Sequence, residues 1–214
     1  MKLYYNPVSS YSQKALMALY EKNVTFTPVV VNLMDPAGRA ELEKIYPVGK
    51  VPVLIEDEGR VVPESSIIIE LLDQRFPDTG PRLLPTDPAL ALETRRWDRF
   101  VDCYVNEPMQ KVFFDGMRPE DKRDAFGVAQ ARGLLTKACT ALDAHLATRT
   151  WLNGEALSLA DCGAAPCLSY LRMLQPYDTF KHLTAYAGRL LERPSFVRIS
   201  KDAEPILKAM QAGR

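Results

Sequence analysis

Cysteine is scarce in this chain and lies entirely in its second half. There are four among 214 residues, Cys103, Cys139, Cys162 and Cys167, so the first 102 positions offer no thiol at all. None forms a CxxC pair, and the two nearest stand five residues apart, on different faces of any helix that carries them. Only two histidines, His145 and His182, exist to complete a ligand set. No metal site and no disulfide framework is expected, and the cysteines read as buried thiols that pack as small hydrophobes. An excess of either charge is also lacking, because Lys+Arg and Asp+Glu number 27 each. That balance speaks against a broad basic face and hence against a nucleic-acid partner. No apolar run reaches the about 18 residues of a bilayer-spanning helix, so no membrane partner is expected. The opening MKLYYNPVSS carries no apolar signal segment, which makes the cytoplasm the expected location. What is present is an ordinary globular balance, 47% hydrophobic and 25% charged.

The texture changes near residue 80. Before it, short apolar runs alternate with helical patterns. Lys2–Tyr5 reads as a strand stopped by Asn6-Pro7, Tyr11–Lys22 as a helix, Phe26–Val31 as a second strand and Pro36–Lys44 as a polar helix. Val51–Ile55 and Gly59–Val62 read as a strand pair, and Ser65–Arg75 as a third helix. The order βαβαββα implies a mixed sheet with helices on both faces. A turn-rich linker at about residues 79–88 separates this domain, 1–78, from a second at 89–214. There Trp97, Phe100, Val101 and Tyr104 recur at helical spacing, marking one long helix from about Ala89 into the 110s. A second is expected over about 120–148. Ser158-Leu-Ala-Asp161 resembles a capping box opening a helix that contains Pro166. A helix around Thr179–Glu192 and a short C-terminal one complete an all-α domain. The fold class is therefore α/β plus all-α.

Three segments carry chemistry. In Tyr4-Tyr5-Asn6-Pro7-Val8-Ser9-Ser10-Tyr11-Ser12, hydroxyls fill the turn before the first helix, where a serine is also the ordinary N-cap. In Val51-Pro52-Val53 a proline interrupts a strand-like run. A cis peptide before Pro52 is one solution, and it leaves the Val51 backbone available to an extended peptide; an edge strand or plain turn is the other. In Pro63-Glu64-Ser65-Ser66 a helix begins. Its free N–H groups and dipole, with the Ser65 hydroxyl, suit a carboxylate, unless Ser65 merely caps the helix.

Taken together, YYNPVSS, PVGKVPVL, PESSIIIELLD and WLNGEALSLAD resemble the glutathione transferase superfamily over nearly the whole chain. The first turn is most similar to the serine-using delta and theta types, and also to the zeta type. The resemblance implies a thioredoxin-like N-terminal domain, an all-helical C-terminal domain and glutathione as co-substrate. On it, Ser65 and its helix start hold the γ-glutamyl carboxylate, Glu64 meets the γ-glutamyl amine, and Val51, shaped by Pro52, holds the cysteinyl backbone. Lys50 meets the glycyl carboxylate, with Arg39 a weaker candidate. A cysteine-like thiol has a pKa of about 8.5, and lowering it by about two units takes roughly 2.7 kcal/mol. Ser9 is the catalytic donor by position and Ser10 the second candidate, ahead of Tyr4 and Tyr5, which read as sheet packing.

The same resemblance implies a small hydrophobic electrophile between the domains, lined by Tyr11, Tyr104, Met109, Phe113 and Phe114. It implies a homodimer, in which an acid of the second domain's first helix crosses the interface in relatives; Asp98, Asp102 or neither fills that place here. The activity expected is the detoxifying transfer of glutathione to that electrophile. Glutathione-dependent cis–trans isomerisation and a non-catalytic binding role are the alternatives. Two positions depart from the family pattern: Ser66 stands where several relatives carry Arg, and Tyr46 replaces the usual Asn before Pro47.

Overall fold

A computed structural model describes residues 1–212, and by packing these form two units. The first opens with β1 (Lys2–Tyr5), α1 (Ser10–Glu21), β2 (Thr27–Val30) and α2 (Pro36–Ile45). It continues with β3 (Val53–Ile55), β4 (Val61–Pro63) and α3 (Ser65–Arg75). The sheet order is β2-β1-β3-β4; β1 and β2 run parallel, the other pairs antiparallel. The expected βαβαββα order is observed. Local chemistry sets the boundaries: Asn6-Pro7 ends β1, and Asp35 caps α2 by accepting the Ala37 N–H at 3.1 Å, with Pro36 at the first helical position. Alternation along β1 sends Tyr4 to a cluster of Val31, Leu42, Val51 and Val53 on the α2 side, while fully buried Leu3 faces the other way.

Two features lock the far end of this unit. Lys22, at the end of α1, and Asp73 of α3 form a fully enclosed ion pair at 2.8 Å. Asp73 also accepts the N–H groups of Leu83 and Leu84, and Lys22 donates to the Pro81 carbonyl, so the segment leaving α3 is strapped to both helices. Gly80 sits in that strap at φ +65°, where a Cβ would come within 2.6 Å of the Lys22 Cα, so only glycine fits.

The sequence reading places the C-terminal helix, as a short one, in the helical domain. The structure corrects both points. This helix, Pro194–Ala212, has 19 residues and packs with the first unit. Its Phe196, Ile199 and Ala203 are buried; its Ser195 hydroxyl donates to Glu21, and its Arg198 guanidinium lies 4.1 Å above the Tyr20 ring. An apolar stripe is visible in sequence, but the surface that receives it is not.

The second unit, Pro85–Arg193, is all helical. The long first helix runs from Pro88 to Asp115 as α4 (Pro88–Phe100), a π-wound segment (Val101–Asn106) and α5 (Glu107–Asp115). Thr94, Asp98, Asp102 and Asn106 are buried along it at a spacing of four. The next helix, α6 (Ala125–Leu146), begins later than expected, after a short turn, because Asp124 caps it through the Gly127 N–H at 2.8 Å. α7 (Leu159–Leu174) continues through Pro166, and α8 (Lys181–Leu191) follows; the C-terminal helix is α9. Asp161, 0% exposed, closes the start of α7. It accepts from the Leu152 N–H (2.9 Å), the Ser158 N–H (2.8 Å), the Ser158 hydroxyl (2.7 Å) and the Tyr186 hydroxyl (2.7 Å). Burial pushes its pKa up in spite of these bonds. Among the described residues no helix is long and apolar enough to cross a membrane.

Candidate active site

The first unit assembles the three segments singled out in the sequence. The turn between β1 and α1 is built around Asn6, which the sequence reading passes over except as a strand stop. Its side chain donates to the Val31 carbonyl at 2.9 Å and accepts the Val8 N–H at 3.0 Å, tying the turn to the chain after β2. Ser9 then caps α1, and its hydroxyl accepts the Ser12 N–H at 3.3 Å. The capping role and a donor role are compatible, because one hydroxyl has a proton to give as well as lone pairs to accept with. Ser10 is buried as the first residue of α1, and Tyr11 follows, half-buried. The tyrosines of β1 are committed elsewhere. Tyr4 packs against the α2 cluster, while burial, with the Asp202 carboxylate of α9 second, pushes the Tyr5 phenol up.

At the second segment the Val51–Pro52 peptide is cis. Val51 is buried and stands outside the β ladder, which begins at Val53. Lys50 beside it is exposed, whereas Arg39 of α2, also exposed, donates to the Leu33 carbonyl at 2.9 Å in the segment that precedes its helix. Tyr46 covers the Val31–Leu42–Val51–Val53 cluster, which accounts for an aromatic ring at that position.

The third segment is the start of α3. Glu64 is its N-cap but makes no side-chain capping bond, and its backbone lies at φ +72°, a region costly for a residue with a Cβ. The first turn holds no acidic residue. Ser65, only 5% exposed, is the first helical residue, and the first intrahelical bond runs from the Ile68 N–H to the Glu64 carbonyl at 2.9 Å. The N–H groups of residues 65–67 therefore have no acceptor within the helix. A helix start of this kind favours an anion through both the free donors and the dipole. Sequence reasoning also missed Lys14, a buried lysine of α1 whose ammonium donates to Ser66 at 2.9 Å.

Of the pocket candidates, Tyr11 belongs to this unit and the other four to the helical unit. Tyr104 (47% exposed) and Phe114 (55% exposed) present surface. Tyr104 stands edge-on to Phe100 at 5.2 Å, and Phe113 and Phe114 meet edge-on at 5.3 Å. Met109 is enclosed, at 3% exposed. Asp98 and Asp102 are both buried within the helical unit. Among the described residues no group of three or more His, Cys, Asp or Glu side chains is placed to hold a metal ion.

Comparison with known proteins places both halves. Residues 3–81 match the family model for the glutathione S-transferase N-terminal domain, and residues 103–194 that for the C-terminal domain. The chain is 30% identical to the FtsZ-localized protein A of Caulobacter vibrioides, over 95% of this chain and 92% of that protein. It is 28% identical to a Caenorhabditis elegans protein named "probable maleylacetoacetate isomerase", over 92% of this chain and 91% of that one. A crystal structure of a Methylobacillus flagellatus glutathione S-transferase with glutathione bound superposes with a TM-score of 0.85 at 29% identity. The match covers 92% of this chain and 98% of that one.

Proposed function

We propose that this chain, which belongs to the glutathione S-transferase superfamily, ionises the thiol of glutathione and transfers the tripeptide to a small hydrophobic electrophile. One observation carries this reading: a single unit holds a serine-capped helix start, a cis-proline segment outside the ladder and an uncapped anion-favouring helix start. These three suit, in turn, the sulfur, the cysteinyl backbone and the γ-glutamyl carboxylate of one extended tripeptide. Ser9 donates a hydrogen bond from its hydroxyl to the sulfur and so stabilises the thiolate, aided by the α1 N-terminus. Ser10 is the alternative donor. Ser65 and the α3 N–H groups hold the γ-glutamyl carboxylate, Glu64 the amine, Val51 and Pro52 the backbone, and Lys50 the glycyl end.

In the reaction the thiol proton leaves to solvent and a sulfur lone pair forms the new S–C bond. The leaving group of the electrophile then departs with its bonding pair. With no cysteine before Cys103, the first turn cannot form the mixed disulfide of a reductase. Tyr11, Tyr104, Met109, Phe113 and Phe114 are proposed to meet the electrophile. The protein is proposed to work in the cytoplasm as a homodimer, a reading that exposed apolar residues on α3 (Ile67) and α4 (Leu90, Leu92) support.

Two other readings have specific support. The paired serines Ser9 and Ser10, with the nematode isomerase-like relative, favour glutathione-dependent isomerisation of a cis double bond. The resemblance to a relative named FtsZ-localized protein A favours a role in binding another protein. Calorimetry with glutathione at millimolar concentration tests the shared premise, and folded protein that releases no heat rejects both enzymatic readings. Ser9→Ala is expected to raise the pKa of the bound thiol by about one to two units, with affinity largely kept. Thiolate absorbance against pH measures it, and an unchanged titration moves the role to Ser10. Turnover of maleyl-type diacids alone, in a panel with aryl and alkyl electrophiles, selects isomerisation over transfer.

A further inference from the structure

Asn6 commits every polar atom it has to the turn that carries Ser9. Its N–H donates to the Ser12 hydroxyl at 3.2 Å, and its carbonyl accepts the Ser9 N–H at 3.0 Å. Its side-chain oxygen accepts the Val8 N–H at 3.0 Å, and its side-chain nitrogen donates to the Val31 carbonyl at 2.9 Å. Ser12, 0% exposed, closes a ring, because its own N–H donates to the Ser9 hydroxyl at 3.3 Å. Gln13, also buried, donates its side-chain amide to the Pro7 carbonyl at 2.7 Å. The turn is thus held both from α1 and from the chain after β2. In the ring the Ser9 hydroxyl accepts, which leaves its one proton to donate and narrows the directions in which it can do so.

The Val31 link reaches further. Val31 packs in one buried cluster with Val51, the residue proposed to hold the cysteinyl backbone. One side-chain amide therefore ties the sulfur donor to the segment that places the sulfur. Capping α1 needs only the Ser9–Ser12 bond, and the link to Val31 adds nothing to a cap. We infer that Asn6 is a positioning residue for the reaction: it aims the Ser9 hydroxyl at the glutathione sulfur and keeps that hydroxyl in register with Val51. It acts through Ser9, since its own polar atoms are all engaged within the fold. The inference rests on the reading of Ser9 as the donor and adds to it a residue that meets no substrate.

The test is a double-mutant cycle read by thiolate absorbance against pH with glutathione bound. Asn6→Ala is expected to raise the pKa of the bound thiol by about half to one unit, less than Ser9→Ala does. In the Ser9→Ala background the same substitution is expected to add nothing, because the group it aims is gone. An unchanged titration in folded Asn6→Ala, or an equal rise in both backgrounds, overturns the inference and leaves Asn6 a turn residue that serves stability alone. Should Asn6→Ala fail to fold by circular dichroism, Asn6→Ser decides. It keeps a side-chain acceptor for the Val8 N–H and loses the reach to Val31. A raised thiol pKa that vanishes in the Ser9→Ala background supports the role, and an unchanged one rejects it. Folded wild-type protein that binds no glutathione rejects the glutathione reading itself. Wild-type protein that lowers the thiol pKa, with Asn6→Ala equal to it, rejects only the role of Asn6.

Discussion

Two helices of this protein begin in opposite ways. At α7 the first turn contains an acid, Asp161, fully enclosed and accepting from two backbone N–H groups and two hydroxyls. Every lone pair has work within the fold. At α3 the first turn contains no acid, the N-cap side chain makes no capping bond, and the N-cap backbone lies in a region that favours glycine. The α7 start is closed by the chain's own carboxylate. The α3 start has no such carboxylate in its first turn. The contrast separates two uses of the same physics, since a helix N-terminus wants an anion, and whether the chain supplies it decides between stability and binding.

The largest expected effect tests the closed end. Asp161→Ala leaves the Leu152 and Ser158 N–H groups and the Tyr186 hydroxyl buried without their acceptor, and is expected to cost about 3–5 kcal/mol in urea unfolding. Glutathione affinity per folded molecule stays unchanged, and a parallel loss of affinity would break the division of labour. Next comes the open end. Ser65→Ala is expected to weaken glutathione about ten- to a hundredfold, with a shift in stability under about 1 kcal/mol. A large loss of stability with affinity intact would make α3 another closed start. The smallest effect sharpens the contrast. Glu64→Gly relieves the φ +72° backbone and is expected to raise stability by up to about 1 kcal/mol while lowering affinity. A variant both less stable and equally tight would show that no strain is held there.

Much of the first unit was legible because its signals are local. Apolar alternation, Asn6-Pro7, and Pro36 after Asp35 each act within a few residues, and the observed elements fall within one or two residues of those expected. The open start of α3 was legible in part: Glu64-Ser65-Ser66 marks a helix start, but the positive φ of Glu64 leaves no trace in residue type. Lys14 was missed because a lysine among apolar residues reads as a snorkelling surface charge until its partner is known. That partner, Ser66, lies 52 positions away. The same holds for Lys22 and Asp73, whose pairing encloses two charges no sequence pattern joins. The 19-residue C-terminal helix was misplaced for a related reason. Phe196, Ile199 and Ala203 reveal a stripe that must be buried, and periodicity does not say against what.

By itself the sequence determined the order of elements, the change from α/β to all-α, and the residue types available at each helix start. These follow from interactions spanning one to four residues, whose geometry the backbone dictates wherever the chain goes. The tertiary structure alone decided which helix start is closed and which is open, which lysines are enclosed, and where the last helix packs. Those outcomes depend on desolvation and on partners distant in the chain. A charge or a free N–H acquires its energetic meaning only when the fold has settled what surrounds it.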